Sequence, residues 1–226
     1  MSVRVGVVVF PGTNCELDVV HAVEVLGGSA DLVWHGDTAV DGFDAIVVPG
    51  GFAHGDYLRT GAIARFSPVM DAVRAFADTG GPVVGICNGF QVLAEAGMVP
   101  GALQKNAGLK FRCETVTCRV EHDRSALTKG VAAGTELRLP INHFEGNFTC
   151  DDETLARIRD HGQVVLRYVQ NPNGSTDDIA GVSNEAGNVV GLMPHPERAS
   201  ESILGSDDGA VLLRALLASA RVDLPV

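Results

Sequence analysis

The stretch Pro82-Val83-Val84-Gly85-Ile86-Cys87-Asn88-Gly89-Phe90-Gln91 runs directly into Val92-Leu93-Ala94-Glu95-Ala96. It opens as an unbroken apolar run, the pattern of a strand buried on both faces, and closes at helical spacing. A cysteine between flanking glycines marks the junction. Gly85 and Gly89 permit a tight strand-to-helix turn that projects the Cys87 thiol from its tip. A thiol at the first turn of a helix meets unpaired backbone N–H groups, whose partial positive charge favours the nucleophilic thiolate. The competing reading, a free cysteine that fills space behind a turn, is common for this residue type.

Toward the N-terminus the chain alternates strand and helix patterns. Residues 3–10 are apolar, and 16–26 carry Leu17, Val20, Val23 and Leu26 at helical spacing before Gly27-Gly28 ends the pattern. Residues 30–34 and 45–48 are short β-rich runs. Ser67-Pro68 offers an N-cap with proline at the first helical position, opening a helix through Val69, Val73 and Phe76 that stops at Gly80-Gly81. This alternation predicts an α/β fold, with a mostly parallel central sheet covered by helices on both faces. In such sheets sites gather beyond the strand C-terminal ends, where Cys87 falls.

Toward the C-terminus the segments shorten and alternate, at 115–120, 137–141, 164–169, 179–183 and 189–193. Turns such as Asn171-Pro172-Asn173-Gly174 and Glu185-Ala186-Gly187-Asn188 separate them, which predicts an additional antiparallel region. Asp151-Asp152-Glu153 reads as a helix start, and 207–220 as a closing helix. No repeat, low-complexity tract or linker divides the chain, so a single domain over 1–226 is expected.

Composition narrows the function. With 46% hydrophobic and 20% charged residues the chain is globular in type, and it carries a net charge of -11. The three lysines, Lys105, Lys110 and Lys129, form no basic stripe, which argues against nucleic acid and anionic membrane as partners. No apolar stretch approaches the roughly 18 residues of a membrane span, and the apolar start is too short for a signal peptide. Five cysteines without regular spacing suit a reducing compartment. A cytoplasmic protein with free thiols is expected.

A nucleophilic thiol needs a base, and the base an orienting partner. Met193-Pro194-His195-Pro196-Glu197 offers both, because proline biases His195 to an extended conformation in which positions i and i+2 face one side. An isolated histidine would more often fill a loop; one paired with a glutamate between prolines is a stronger signal. Donors for an oxyanion are expected from the backbone N–H groups of Gly51, in the loop Pro49-Gly50-Gly51-Phe52-Ala53-His54-Gly55, and of Asn88. That loop alone could be an ordinary surface turn. Cys15 reads as a buried or idle thiol. Cys113, Cys118 and His122 lack a clear fourth ligand, and no metal site is expected from them.

The ordered motifs Pro11-Gly12-Thr13-Asn14-Cys15-Glu16, Pro49-Gly50-Gly51-Phe52, Gly55-Asp56-Tyr57-Leu58-Arg59, Gly85 to Gln91, Asn171 to Ser175 and Gly191 to Arg198 run nearly end to end. Together they closely resemble the PurQ-type glutaminase subunits of phosphoribosylformylglycinamidine synthase, within the class I glutamine amidotransferase family. The resemblance implies a flavodoxin-like amidotransferase fold, a catalytic triad of Cys87, His195 and Glu197, and substrate contacts from Gln91 and Phe52. It also implies that a glutamyl thioester forms on Cys87. The ammonia released would pass to a large PurL-type synthetase subunit, which holds ATP and Mg, with a small PurS-type subunit completing the complex. This chain would bind no cofactor, in keeping with its lack of a Walker-type loop. Two places depart from the family: Ala53-His54 where Ser-Tyr is more usual, and His143-Phe144-Glu145-Gly146 where His-Gly-Glu-Gly is usual.

Two other readings compete. A stand-alone thiol hydrolase of the related flavodoxin-like type would more often place histidine directly after the nucleophile, where Asn88 stands. A catalytically silent regulatory subunit would not need the complete triad.

Overall fold

In the computed structural model residues 2–220 are described, so the extreme ends of the expected 1–226 domain lie outside the described residues. The strands are β1 (Arg4–Val9), β2 (Ser29–Trp34), β3 (Ala45–Val48), β4 (Val83–Ile86), β5 (Ala102–Gln104), β6 (Arg112–Val120), β7 (Glu136–His143), β8 (Asn147–Thr149), β9 (Val164–Tyr168), β10 (Ile179–Ser183) and β11 (Val189–Leu192). The α-helices are α1 (Glu16–Val25), α2 (Pro68–Asp78), α3 (Asn88–Glu95), α4 (Asp152–Asp160) and α5 (Gly209–Ser219).

Nine strands form one sheet in the order β2-β1-β3-β4-β11-β10-β9-β6-β7, and β5 with β8 makes a separate antiparallel ribbon. The first five strands of that order are mutually parallel. The remaining four alternate in direction. The expected mixed α/β architecture is therefore present, with the antiparallel region continuing the central sheet.

One assignment changes. The sequence groups 189–193 with the antiparallel segments, but β11 pairs parallel with β4 in the centre of the sheet, Leu192 opposite Ile86. Its antiparallel neighbour is β10. The physical reason lies in its composition: Val189-Val190-Gly191-Leu192 is buried throughout, as a central strand covered on both faces must be.

The helices cover this core through narrower faces than the apolar spacing suggested. On α1 the buried residues are Val19, Ala22 and Val23, whereas Leu17 is 65% exposed. Helix α2 starts at Pro68 as expected and buries Val69, Met70, Val73 and Ala77, but the Ser67 side chain makes no capping hydrogen bond. Asp151 does cap α4, accepting from the Thr154 N–H at 2.7 Å. Among the described residues no helix is long and apolar enough to cross a membrane.

Candidate active site

Strands β3, β4 and β11 are adjacent, parallel and in register, so the loops leaving their C-terminal ends meet. Cys87 ends β4 and donates its N–H to Leu192 O at 2.8 Å, tying the cysteine to the end of β11. Its backbone sits at φ 52°, ψ -105°, a conformation that side-chain-bearing residues rarely adopt and that costs energy. The surroundings enforce it. A Cβ on Gly89 would lie 1.8 Å from Val48 O, so only glycine lets the first turn of α3 approach β3 this closely.

Three residues beyond β11 is His195. Its φ of -103° and ψ of 89° give the extended backbone expected before proline, after which Pro196–Ala199 forms a short 3-10 turn. Glu197 comes round on that turn, and its Oε1 lies 2.5 Å from His195 Nδ1, both side chains being buried. Burial alone would lower the His195 pKa, but the charge of Glu197, with a smaller contribution from neighbouring Cys87, outweighs it and holds the imidazole well above its ordinary 6.5. Nε2 is buried without a hydrogen-bond partner in the protein. The pair therefore presents one ring nitrogen for proton transfer.

Cys87 and His195 line a single cleft of about 290 Å³, together with Gly51, Phe52, Asp56 and Gln91. Gly51 has φ +149°, and a Cβ there would meet the Asn14 backbone N at 2.8 Å. Among the described residues neither the Gly51 nor the Asn88 N–H is taken by a backbone acceptor. Both expected oxyanion donors are thus free of backbone acceptors. The Asn88 side chain ties the loops together, accepting from Ala53 N–H at 2.9 Å and donating to Asp56 Oδ1 at 3.1 Å and Gln91 Oε1 at 2.9 Å. Gln91 in turn donates to Glu145 O. Burial pushes the Asp56 carboxyl up to about 6, against the Asn88 hydrogen bond and with the help of the Glu145 charge.

The far wall comes from the antiparallel half of the sheet. It folds back so that β7 reaches the strand-end loops: Pro140 O accepts from His195 N–H at 2.8 Å, and Asn142 O lies 3.7 Å from Cys87 Sγ. Beyond it, residues 143–146 are fixed by fully buried Asn106. Asn106 Nδ2 donates to Lys110 O and His143 O, while Oδ1 accepts from Gly146 N–H and His143 Nδ1, all within 3.1 Å. His143 is consequently a neutral imidazole with its proton on Nδ1; burial, then the His195 charge, lower its pKa to about 4. The Asn171–Ser175 motif is a buttress for this wall, Asn173 Nδ2 donating to Gly146 O at 2.8 Å.

Residues 2–207 match the family described as the CobB/CobQ-like glutamine amidotransferase domain. The chain belongs to this family. A curated relative from Rubrobacter xylanophilus, phosphoribosylformylglycinamidine synthase subunit PurQ, is 58% identical over 97% of this chain and all of its own length. The subunit of the same name from Lacticaseibacillus casei is 54% identical over 95% of this chain and 94% of its own. In the solved structure of PurLQS from Thermotoga maritima, a chain with 42% identity superposes with a TM-score of 0.89, covering 96% of this chain and 99% of that one. A putative GMP synthase subunit from Thermoplasma acidophilum, at 16% identity and TM-score 0.64 over 97% and 94% of the two chains, shares the fold.

In this amidotransferase chain the structure gathers Cys87, His195, Glu197, Gly51, Asn88, Gln91 and Phe52 around one cleft or its immediate support. All five cysteines are free thiols. Cys15 is buried as expected but not remote: its Sγ and a ligand atom each of His195 and Glu197 lie within 4.8 Å of one another. Arg198 and Asn14 contact the same sulfur at 3.1 Å. Cys113 and Cys118, five residues apart on β6, take opposite faces, and burial pushes the Cys118 thiol up to about 12. Sequence reasoning from chemistry passed over Asp56, Asn106 and the 142–145 wall. Asp56 was signalled only by its place in a quoted motif and the wall only by the departure at Phe144, while Asn106 carried no signal.

Proposed function

We propose that this chain is the glutaminase subunit of a phosphoribosylformylglycinamidine synthase, supplying ammonia to a separate ATP-dependent subunit that makes formylglycinamidine ribonucleotide in purine biosynthesis. The observation that carries this reading is the full-length likeness, at 58% identity, to a relative of that name, on a chain whose nucleophile elbow meets a buried His–Glu pair. The Cys87 thiolate attacks the glutamine carboxamide carbon. Gly51 and Asn88 N–H groups take the oxyanion, which in a cleft screened from water is a large part of the stabilisation. Imidazolium His195 gives its proton to the departing nitrogen, and ammonia leaves a glutamyl thioester behind. His195, neutral once it has given that proton, takes one from the water that attacks the thioester, releasing glutamate and restoring the thiolate. Glu197 holds the ring and balances its charge. Phe52 and Gln91 shape the walls against which glutamine lies.

The energy-requiring step belongs to partners: a PurL-type subunit carrying ATP and Mg, and a small PurS-type subunit, all in the cytoplasm. The test is glutamate release from glutamine by this chain alone and with those subunits, ATP and formylglycinamide ribonucleotide. Strong stimulation by the complex is expected. Turnover that is unchanged or absent in the complex would favour an independent hydrolase or a silent subunit.

A further inference from the structure

Two carboxylates stand in the cleft beside the reacting residues. Asp56 and Glu145 both line it, and no lysine or arginine does. Nearby acids are otherwise neutralised: Glu95 lies 2.6 Å from Arg59. Among the described residues neither Asp56 nor Glu145 has a salt bridge. Two like charges facing one partly buried space without a cation repel one another, a cost that a bound cation would relieve. Asp56 is placed for this. Its backbone is held at φ 53°, and Oδ1 is pinned by Asn88, the residue after the nucleophile, at 3.1 Å. Glu145 is fixed through its carbonyl by Gln91. The same cleft points to a ligand independently, since His195, which also lines it, is buried and its Nε2 has no partner.

We infer that Asp56, supported by Glu145, is the subsite for the α-ammonium group of the amino-acid substrate, and so selects a zwitterionic glutamine over simple carboxamides. The inference rests on the glutaminase reading above and names how that site recognises its substrate. With the carboxamide at Cys87 and the ammonium at Asp56, the α-carboxylate is left to backbone N–H groups, because the cleft offers it no cationic side chain other than His195 at the reacting end.

The experiment compares two alkylating agents on the assembled complex, reading modification of the Cys87 peptide by mass spectrometry. Azaserine is a glutamine analogue with an α-ammonium group; iodoacetamide has none. Asp56→Asn keeps the shape and the Asn88 contact. Loss of a charge-assisted hydrogen bond predicts that it slows azaserine labelling about tenfold or more while iodoacetamide labelling stays within about twofold. Asp56→Glu should restore part of the azaserine rate, and KM for glutamine should rise more than kcat falls. Equal slowing of both agents, or no slowing of either, would overturn the subsite. Failure of azaserine to label Cys87 in the unmodified complex would overturn the glutaminase reading together with the subsite, and is distinguished by appearing before any substitution.

Discussion

The parallel strands β1, β3, β4 and β11 and the antiparallel strands β10, β9, β6 and β7 belong to one sheet, yet they serve the cleft differently. Parallel neighbours end at the same edge, so consecutive βα loops converge there and bring Gly51, Cys87 and His195 together across short sequence-distant joints. The antiparallel half delivers a single wall, residues 142–145, from the end of β7. It holds that wall by buried side-chain hydrogen bonds centred on Asn106. Defects should therefore separate: in the chemical step for Cys87 and the His195–Glu197 pair at the parallel edge, in substrate binding for the antiparallel wall and for the cleft-lining residues Phe52, Asp56 and Gln91.

The largest expected effect is at the elbow. Cys87→Ala should lower glutamine-dependent synthesis by the complex at least about a thousandfold while ammonia-dependent synthesis persists, because the nucleophile is gone and the partner's chemistry is not. Parallel loss of both activities would place Cys87 in assembly instead. Next comes Glu197→Gln, expected to lower kcat by about a hundredfold or more, since a neutral amide cannot balance the imidazolium and its NH2 can hold the ring in the wrong tautomer. Its pH signature has a definite sign. The folded His195 pKa lies above the unfolded 6.5, so the pair's contribution to stability is complete below pH 6.5 and is lost as pH rises through the folded value. Thermal melts should therefore show the variant's deficit largest in acid and shrinking in alkali; a deficit independent of pH would contradict the charge assignment.

The smallest effect sharpens the comparison from the other half. Asn106→Ala strips three side-chain hydrogen bonds from the 143–146 wall and a fourth to Lys110 O, and should cost about 1–3 kcal/mol in denaturant unfolding. Steady-state kinetics should show KM for glutamine rising several-fold with kcat changed less. A fall in kcat with KM unchanged would erase the division between the two halves.

Much of this edge was legible in the residues. Continuous apolar runs announce the central strands, and the Gly85-to-Gln91 turn announces the elbow, because each is a local pattern with one physical cause. Strand order is not local. Nothing in Val189–Leu192 states that it lies between β4 and β10, although that placement is what brings His195 to Cys87. Leu17 misled because helical spacing marks two candidate faces on α1 and tertiary packing chooses one. The three-residue strands β5 and β8 are too short for any period. Asp56 and Asn106 were hidden for another reason: a lone polar residue in a loop gains its meaning only from the partners that folding supplies.

The most direct test of the central claim is to quench the complex in acid during turnover of isotopically labelled glutamine and map the covalent label by peptide mass spectrometry. Labelled glutamyl on the Cys87 peptide, abolished by Cys87→Ala, is the predicted result. Label on the Cys15 peptide, whose thiol also lies beside His195, or turnover with no covalent label on any cysteine in a quench shown to preserve thioesters, would contradict it.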